Sequence, residues 1–151
     1  MLSKKGKYAI QACLDLAKQE AGKPNLIADI AERAAIPKKF LEIILLDLRN
    51  VGILSSKKGK GGGYHLSRDP AKVMLGQIIR LMDGPLAPVA CVSQTAFRPC
   101  EDCPDPASCG IKMVMKDVRD SIATILDNTS LADVLERSRR GAENAPVFYD
   151  I

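Results

Sequence analysis

Cys91, Cys100, Cys103 and Cys109 fall within 19 residues, in the run Cys91-x8-Cys100-x2-Cys103-x5-Cys109; they are four of the chain's five cysteines. Cysteine thiolates are soft ligands suited to iron–sulfur clusters or zinc. A cluster needs three or four of them brought together by a loop. Zinc would accept four, and Cys-x2-Cys is common in zinc sites, but such sites usually carry two short pairs and here there is one. A metal-free thiol switch is the third option. Iron–sulfur ranks first, in a 2Fe–2S or 4Fe–4S form, with zinc second and the thiol switch third. Glu101, Asp102 and Asp105 would make a metal site more negative and harder to reduce. Pro99, Pro104 and Pro106 stiffen the loop and lower the entropy lost on closing it. The fifth thiol, Cys13, lies on an apolar helical face and reads as core.

Two helical patterns frame this loop. Residues 71–83 have Val73, Leu75, Ile78, Ile79 and Met82 at helical spacing, and Gly84-Pro85 ends them. Residues 111–128 carry a longer stripe of Ile111, Val114, Met115, Val118, Ile122, Ile125 and Leu126. Spacings of three and four over four turns suit a helix that packs on another helix along its whole length. Ser130-x-x-Asp133 resembles a capping box before a last turn at Leu131, Val134 and Leu135. From about Ser138 the sequence is polar and Gly/Pro-containing until Val147-Phe148-Tyr149, and reads as irregular.

The first half differs in charge. Residues 1–70 hold 13 Lys/Arg against 7 Asp/Glu, whereas residues 71–151 hold 9 against 11. An acidic partner is therefore expected for the first half alone. Its elements follow one another closely. A helical stripe spans residues 5–20, and Gly22-Lys23-Pro24 breaks it. Asn25 could cap a short helix through Ala31. Pro37 suits the first position of a helix running to about Val51, with Phe40, Leu41, Ile44, Leu45, Leu48 and Val51 on one face and Gly52 as its stop. Two short strands, 53–56 and 63–66, flank the tip Lys57-Lys58-Gly59-Lys60-Gly61-Gly62. Helix, turn, helix and hairpin in this order are those of a winged helix-turn-helix, a mainly α fold with a two-stranded wing.

In such a motif the second helix enters the major groove with its N-terminal residues at the base edges. Those residues are Lys38, Lys39 and Glu42. Lys38 and Lys39 oppose the local helix dipole, so an anionic partner would stabilise them. Glu42 could accept from a cytosine amino group. Lys57, Lys58 and Lys60 among glycines suit phosphate or minor-groove contacts. Tyr64 could pack the wing on the domain or touch the DNA backbone, and packing is the first choice. The glycine run is not the dinucleotide-binding fingerprint, and no helix follows it. His65, the only histidine, cannot anchor a triad from a basic hairpin, so an enzyme is not expected.

These residues resemble a known family. Tyr8-Ala9, Ile27-Ala28-Asp29-Ile30-Ala31, Ile36-Pro37-Lys38-Lys39-Phe40-Leu41-Glu42, Leu48 to Ser56 and Gly59-Lys60-Gly61-Gly62-Gly63-Tyr64 are similar to the Rrf-type winged-helix regulators, the IscR, NsrR, RirA and CymR family. The resemblance covers about residues 1–136. It implies a homodimer joined by the long C-terminal helix, through Ile111, Val114, Met115, Val118, Ile122 and Ile125, on palindromic double-stranded DNA. It also implies a cluster on three cysteines, commonly with five residues between successive ones. Here Cys103-x5-Cys109 and Cys91 match that pattern in part. The eight-residue gap and the fourth cysteine leave open which three ligate, and allow all four. The wing carries lysines where relatives often carry arginine, the better reader of a narrow minor groove.

The expected organisation is a DNA-binding domain at 1–83, a cysteine-rich sensor loop at 84–110, a dimerisation helix and short last helix at 111–136, and a tail at 137–151. No apolar run approaches 18 residues, so no membrane span is expected. The basic start Met1–Lys7 has no apolar stretch after it, so no secretory signal is expected and the location reads as cytoplasmic. There the thiols would stay reduced, which favours metal ligation or redox sensing over structural disulfides. The rival reading is a DNA-binding repressor with zinc or thiol chemistry and a metabolic enzyme as partner.

Overall fold

The computed structural model describes residues 2–146. Three helices come first: α1 (Lys4–Ala17), α2 (Ile27–Ala34) and α3 (Lys38–Asn50). A hairpin of β1 (Leu54–Lys57) and β2 (Gly63–Leu66) follows, then α4 (Leu75–Asp83), α5 (Gly110–Asp127) and α6 (Leu131–Glu143). The fold is a mainly helical winged helix-turn-helix.

The core is aliphatic. Cys13, Ile30, Leu41, Ile44, Leu45, Leu48, Leu54, Val73, Ile78 and Leu131 are fully buried where α1, α3 and α4 meet. Cys13 is thus core, and its burial pushes the thiol up to about 12. Phe40 and Val51 are instead about half exposed. At 3.6 residues per turn they lie roughly 70–90° round the helix from the centre of the buried set. Phe40 rests on Tyr8 of α1, with ring centroids 6.4 Å apart.

Asn25 does not cap α2. Leu26 holds that position without a side-chain bond. Asn25 is committed to the wing, exchanging both backbone bonds with Tyr64 at 2.8 Å. Its side chain accepts from Arg33, which also grips the nearly buried Asp15 through Nε and Nη2. One polar chain, Asp15–Arg33–Asn25–Tyr64, thereby fixes α1, α2 and the wing to one another. Gly63 must be glycine here. Its φ is +140°, and a Cβ would collide with the Asn25 backbone.

Several boundaries differ from expectation. Helix α1 begins at Lys4, capped by Ser3, and stops at Ala17. Pro37 is the N-cap of α3 rather than its first helical residue. Residues 70–72 form a separate 3-10 turn, which Asp69 caps through the Ala71 N–H, and α4 starts only at Leu75. The expected capping box is present. The Asp133 carboxylate accepts from the Ser130 N–H, and the Asp133 N–H donates to the Ser130 hydroxyl. The segment read as a last turn and irregular tail is a 13-residue helix, α6. Glu136 bonds Arg139 and Arg140, and Arg139 bonds Glu143. Pairs at these spacings support a helix that has little apolar surface. Arg139 and Arg140 hold the Glu136 carboxyl down at about 2. Val147-Phe148-Tyr149 lie outside the described residues.

Helices α4 and α6 are stitched at their starts. Leu75 N–H donates to Thr129 O and Leu131 N–H to Val73 O, each at 2.9 Å. Arg80 of α4 clamps Asp127 of α5 with two bonds of 2.6 and 2.9 Å. Gly76 allows this approach, since a Cβ there would strike the Asp127 carboxylate. No helix among the described residues is long and apolar enough to cross a membrane.

Candidate functional site

Three surfaces carry the candidate residues. The first is the outer face of α3 with the wing. Lys38, Lys39 and Glu42 are all exposed in the first turn and a half of α3. Lys39 Nζ lies 5.0 Å from the centre of the Phe40 ring. Register Leu54↔Leu66 to Lys57↔Gly63 closes the wing, so Lys57, Lys58 and Lys60 stand exposed at its end. Gly59 and Gly61 have φ of +85° and +72°, the left-handed conformation that a tight basic tip requires. Tyr64 is half-buried against the core and has the packing role. His65 lies on the other side of the wing, beside Arg68 and Asp69, and its Nδ1 is buried without a hydrogen-bond partner.

The sequence reading missed two residues on α3. Ile43 and Leu46 are large, aliphatic and exposed, at 58% and 41%. They fall outside the apolar stripe, and a helical projection of α3 would have singled them out.

The second surface is the cysteine loop. All four of its thiols line one cavity of about 310 Å³, whose other walls are largely apolar, with Val89, Phe97, Pro99 and Ile111 among them. Cys100 is exposed, while Cys91, Cys103 and Cys109 are partly covered. Cys109 is the N-cap of α5, and its Sγ accepts from the Lys112 N–H at 3.5 Å. That bond holds the Cys109 thiol below its ordinary range, with a smaller contribution from Cys103. Cys103 is pushed up, first by desolvation and then by its hydrogen bond to Cys109. The donors suit a thiophilic metal group, since each is a potential thiolate and one sits at a helix N-terminus. The cavity gathers the thiols into one place but not into a coordination sphere. Among the described residues no three Cys, His, Asp or Glu side chains converge closely enough to hold a metal ion. Ligation would have to draw them inward, and binding free energy would go into ordering the loop.

The third surface is α5. Among the described residues none of this helix is fully buried. Ile111, Val114, Val118 and Ile125 are exposed at 71%, 57%, 39% and 60%, and Met115 and Ile122 are half-buried. Val118, Ile122 and Leu126 share an open apolar groove with Leu2, Ile79 and Leu86. Arg119, at the edge of this apolar face, donates to Val92 O in the single 3-10 turn of the cysteine loop. This contact was not foreseen either, because it joins residues 27 positions apart.

The family model of Rrf2, described as an iron-dependent transcriptional regulator, matches residues 2–137. The chain belongs to the Rrf2 family. An Rrf2-like HTH-type transcriptional regulator of Rhodobacter capsulatus is 40% identical over 146 residues, covering 95% of this chain and 97% of that one. Among solved structures, CymR, the global cysteine regulator of B. subtilis, superposes with a TM-score of 0.74 at 31% identity, over 91% of this chain and 97% of that one. T. potens IscR superposes with a TM-score of 0.73, also at 31% identity, over 97% and 93%. As an Rrf2 member the chain is a DNA-binding transcription regulator, and its relatives are named as regulators rather than enzymes.

Wing lysines that contact phosphates would release counterions on binding, so DNA affinity is expected to weaken steeply with salt. Lys57→Ala, Lys58→Ala and Lys60→Ala combined should lower affinity for all sequences alike. The log–log salt slope should fall by about one for each lysine–phosphate contact removed. Fluorescence anisotropy across a salt series measures this, and an unchanged slope would refute the wing assignment.

Proposed function

We propose that this regulator is a cytoplasmic homodimer that binds palindromic double-stranded DNA, with an affinity set by an iron–sulfur cluster on the Cys91–Cys109 loop. Residues 1–83 read DNA, 84–110 sense, and 111–136 dimerise. The observation that carries the reading is the single cavity lined by all four cysteines at the foot of α5, with Cys109 capping that helix. Cys91, Cys103 and Cys109 are the ligands that best match the family spacing, and Cys100 is available as a fourth. When bound, such a group would supply sensitivity to iron, oxygen, nitric oxide or redox state.

The chain's own residues give the signal a route. Cys91 follows the end of α4 by eight residues, and Cys109 begins α5. Drawn together, they would fix the loop between the DNA-binding body and the dimer helix. Arg119 on Val92 O and Arg80 on Asp127 would carry that constraint along α5. Released, the 19 residues from Cys91 to Cys109 regain conformational entropy. That entropy opposes one fixed spacing of the two recognition helices. The exposed stripe of Ile111, Val114, Met115, Val118, Ile122 and Ile125 is the proposed seam between protomers.

The two thiols Cys103 and Cys109, whose ionisation is shifted in opposite directions, favour one other reading. In it the loop is a zinc or thiol switch, and the α5 side takes a metabolic enzyme as partner. Colour separates the two. Anaerobically purified protein should be brown, with sulfide-to-iron charge-transfer bands and matching iron and sulfide contents. A colourless protein would sink the cluster. Among single alanine variants, Cys91→Ala, Cys103→Ala and Cys109→Ala should each lose most of the iron, and a full complement in all three would contradict the ligand assignment. Cluster kept only in Cys100→Ala would show a three-cysteine site.

The seam has its own test. Val118→Glu would place an unpaired carboxylate between two helices, which is strongly unfavourable. The variant should scatter light as a monomer and lose palindrome binding. A variant that stayed dimeric would place the interface elsewhere.

A further inference from the structure

The outer face of α3 is not the polar surface that its exposure calls for. Leu41, Ile44, Leu45 and Leu48 fill the core side. At about 100° per residue, the direction opposite the core runs through Lys39, Ile43, Leu46 and Asn50. Lys39 and Asn50 are ordinary there. Ile43 and Leu46 are large aliphatic side chains left 58% and 41% exposed. Phe40 is also exposed, but it has Tyr8 to rest on. Ile43 and Leu46 lie one helical turn apart on the face that a winged helix presents to the major groove.

We infer that Ile43 and Leu46 are specificity determinants that pack on thymine 5-methyl groups of the operator half-site. The inference rests on α3 being the groove-entering helix. The charge around the patch selects the occupant. Lys38 and Lys39 stand at its N-terminal end, Lys4 lies beside Ile43 on α1, Lys5 there is paired with Asp47 at 2.9 Å, and the wing carries Lys57, Lys58 and Lys60. A surface so basic suits a polyanion, and its apolar centre needs an apolar feature on that polyanion. In the major groove the thymine methyl is the one such feature.

The geometry also gives a spacing. Ile43 and Leu46 are separated by a rise of about 4.5 Å along α3. A base-pair step is about 3.4 Å. The two methyls therefore belong to adjacent or next-adjacent base pairs, on either strand. Glu42, a neighbour of Ile43, would read the flanking pair by accepting from a cytosine amino group. The expected half-site thus has two thymines close to a cytosine.

The test removes only the methyls. The intact chain is used to select its preferred duplex from a random pool. Each thymine of the selected half-site is then replaced by deoxyuridine, and affinity is measured. Burying a methyl-sized group contributes about 0.8 kcal/mol, so two positions should each lose about 4-fold in affinity. Ile43→Ala should abolish the uracil effect at one of them and Leu46→Ala at the other. Both residues are exposed, so both variants should fold, which circular dichroism checks. A selected duplex with no uracil-sensitive position would overturn the inference, as would sensitivity unchanged in both variants. In those cases DNA reading by α3 would still stand. If no duplex were selected and binding did not depend on salt, the DNA role of α3 would fall as well, and the patch would be a protein or lipid contact.

Discussion

Within one chain the apolar stripe of α5 is only partly covered. The helix runs from Gly110 to Asp127, and among the described residues none of it is fully buried. Exposing Ile111, Val114, Val118 and Ile125 together is costly, at about 25 cal/mol for each Å² of apolar surface left in water. Single exposed aliphatics are common, but a contiguous stripe along four turns is what a partner surface looks like, and it is the proposed seam between protomers. Ile122 and Leu126 are half-buried towards Ile79 and Leu86, and three polar attachments hold α5 to its own body. Arg80 holds Asp127 at one end, Arg119 reaches Val92 O near the middle, and Cys109 starts the helix. The helix is thus free to present its apolar side outward while its ends stay registered to the DNA-binding body.

In the proposed function that arrangement would give the cysteine loop leverage. The loop has no regular structure beyond one 3-10 turn, and it joins the end of α4 to the start of α5. Its thiols share a cavity without converging. Under the proposed function such a loop would have two states, one ordered by ligation and one not. The DNA-binding body is rigid by contrast. The Asp15–Arg33–Asn25–Tyr64 chain locks the wing to α1 and α2, and the aliphatic core locks α3 beneath them. A rigid reader and a deformable joint are what a coupling free energy between two sites requires.

Much of this was legible in the residues. The apolar spacing gave α3 and α5 to within a residue or two, and the glycines between lysines marked the wing. Ser130 and Asp133 announced the start of α6. Other features were hidden for physical reasons. Asn25 looks like a helix cap because its side chain suits one, yet a backbone bridge to Tyr64 claims it, and only the folded chain brings residues 39 positions apart together. The extent of α6 was missed because charge pairing, not an apolar stripe, sustains it. Val51 and Phe40 were assigned to the buried face because short windows do not resolve where one helix flank ends. At the sensor the residue types were readable, but whether four thiols converge depends on loop geometry that spacing alone does not fix.

The account stands on the claim that the state of the thiols sets the affinity for DNA. The most direct measurement uses one protein preparation and one selected duplex. Affinity is measured anaerobically with the thiol-bound group in place, and again after chelation has removed it, at the same salt concentration. Coupling between two sites typically amounts to about 1–3 kcal/mol, so the two dissociation constants should differ by about 5- to 150-fold. Equal constants, in protein that has demonstrably lost its iron, would contradict the account.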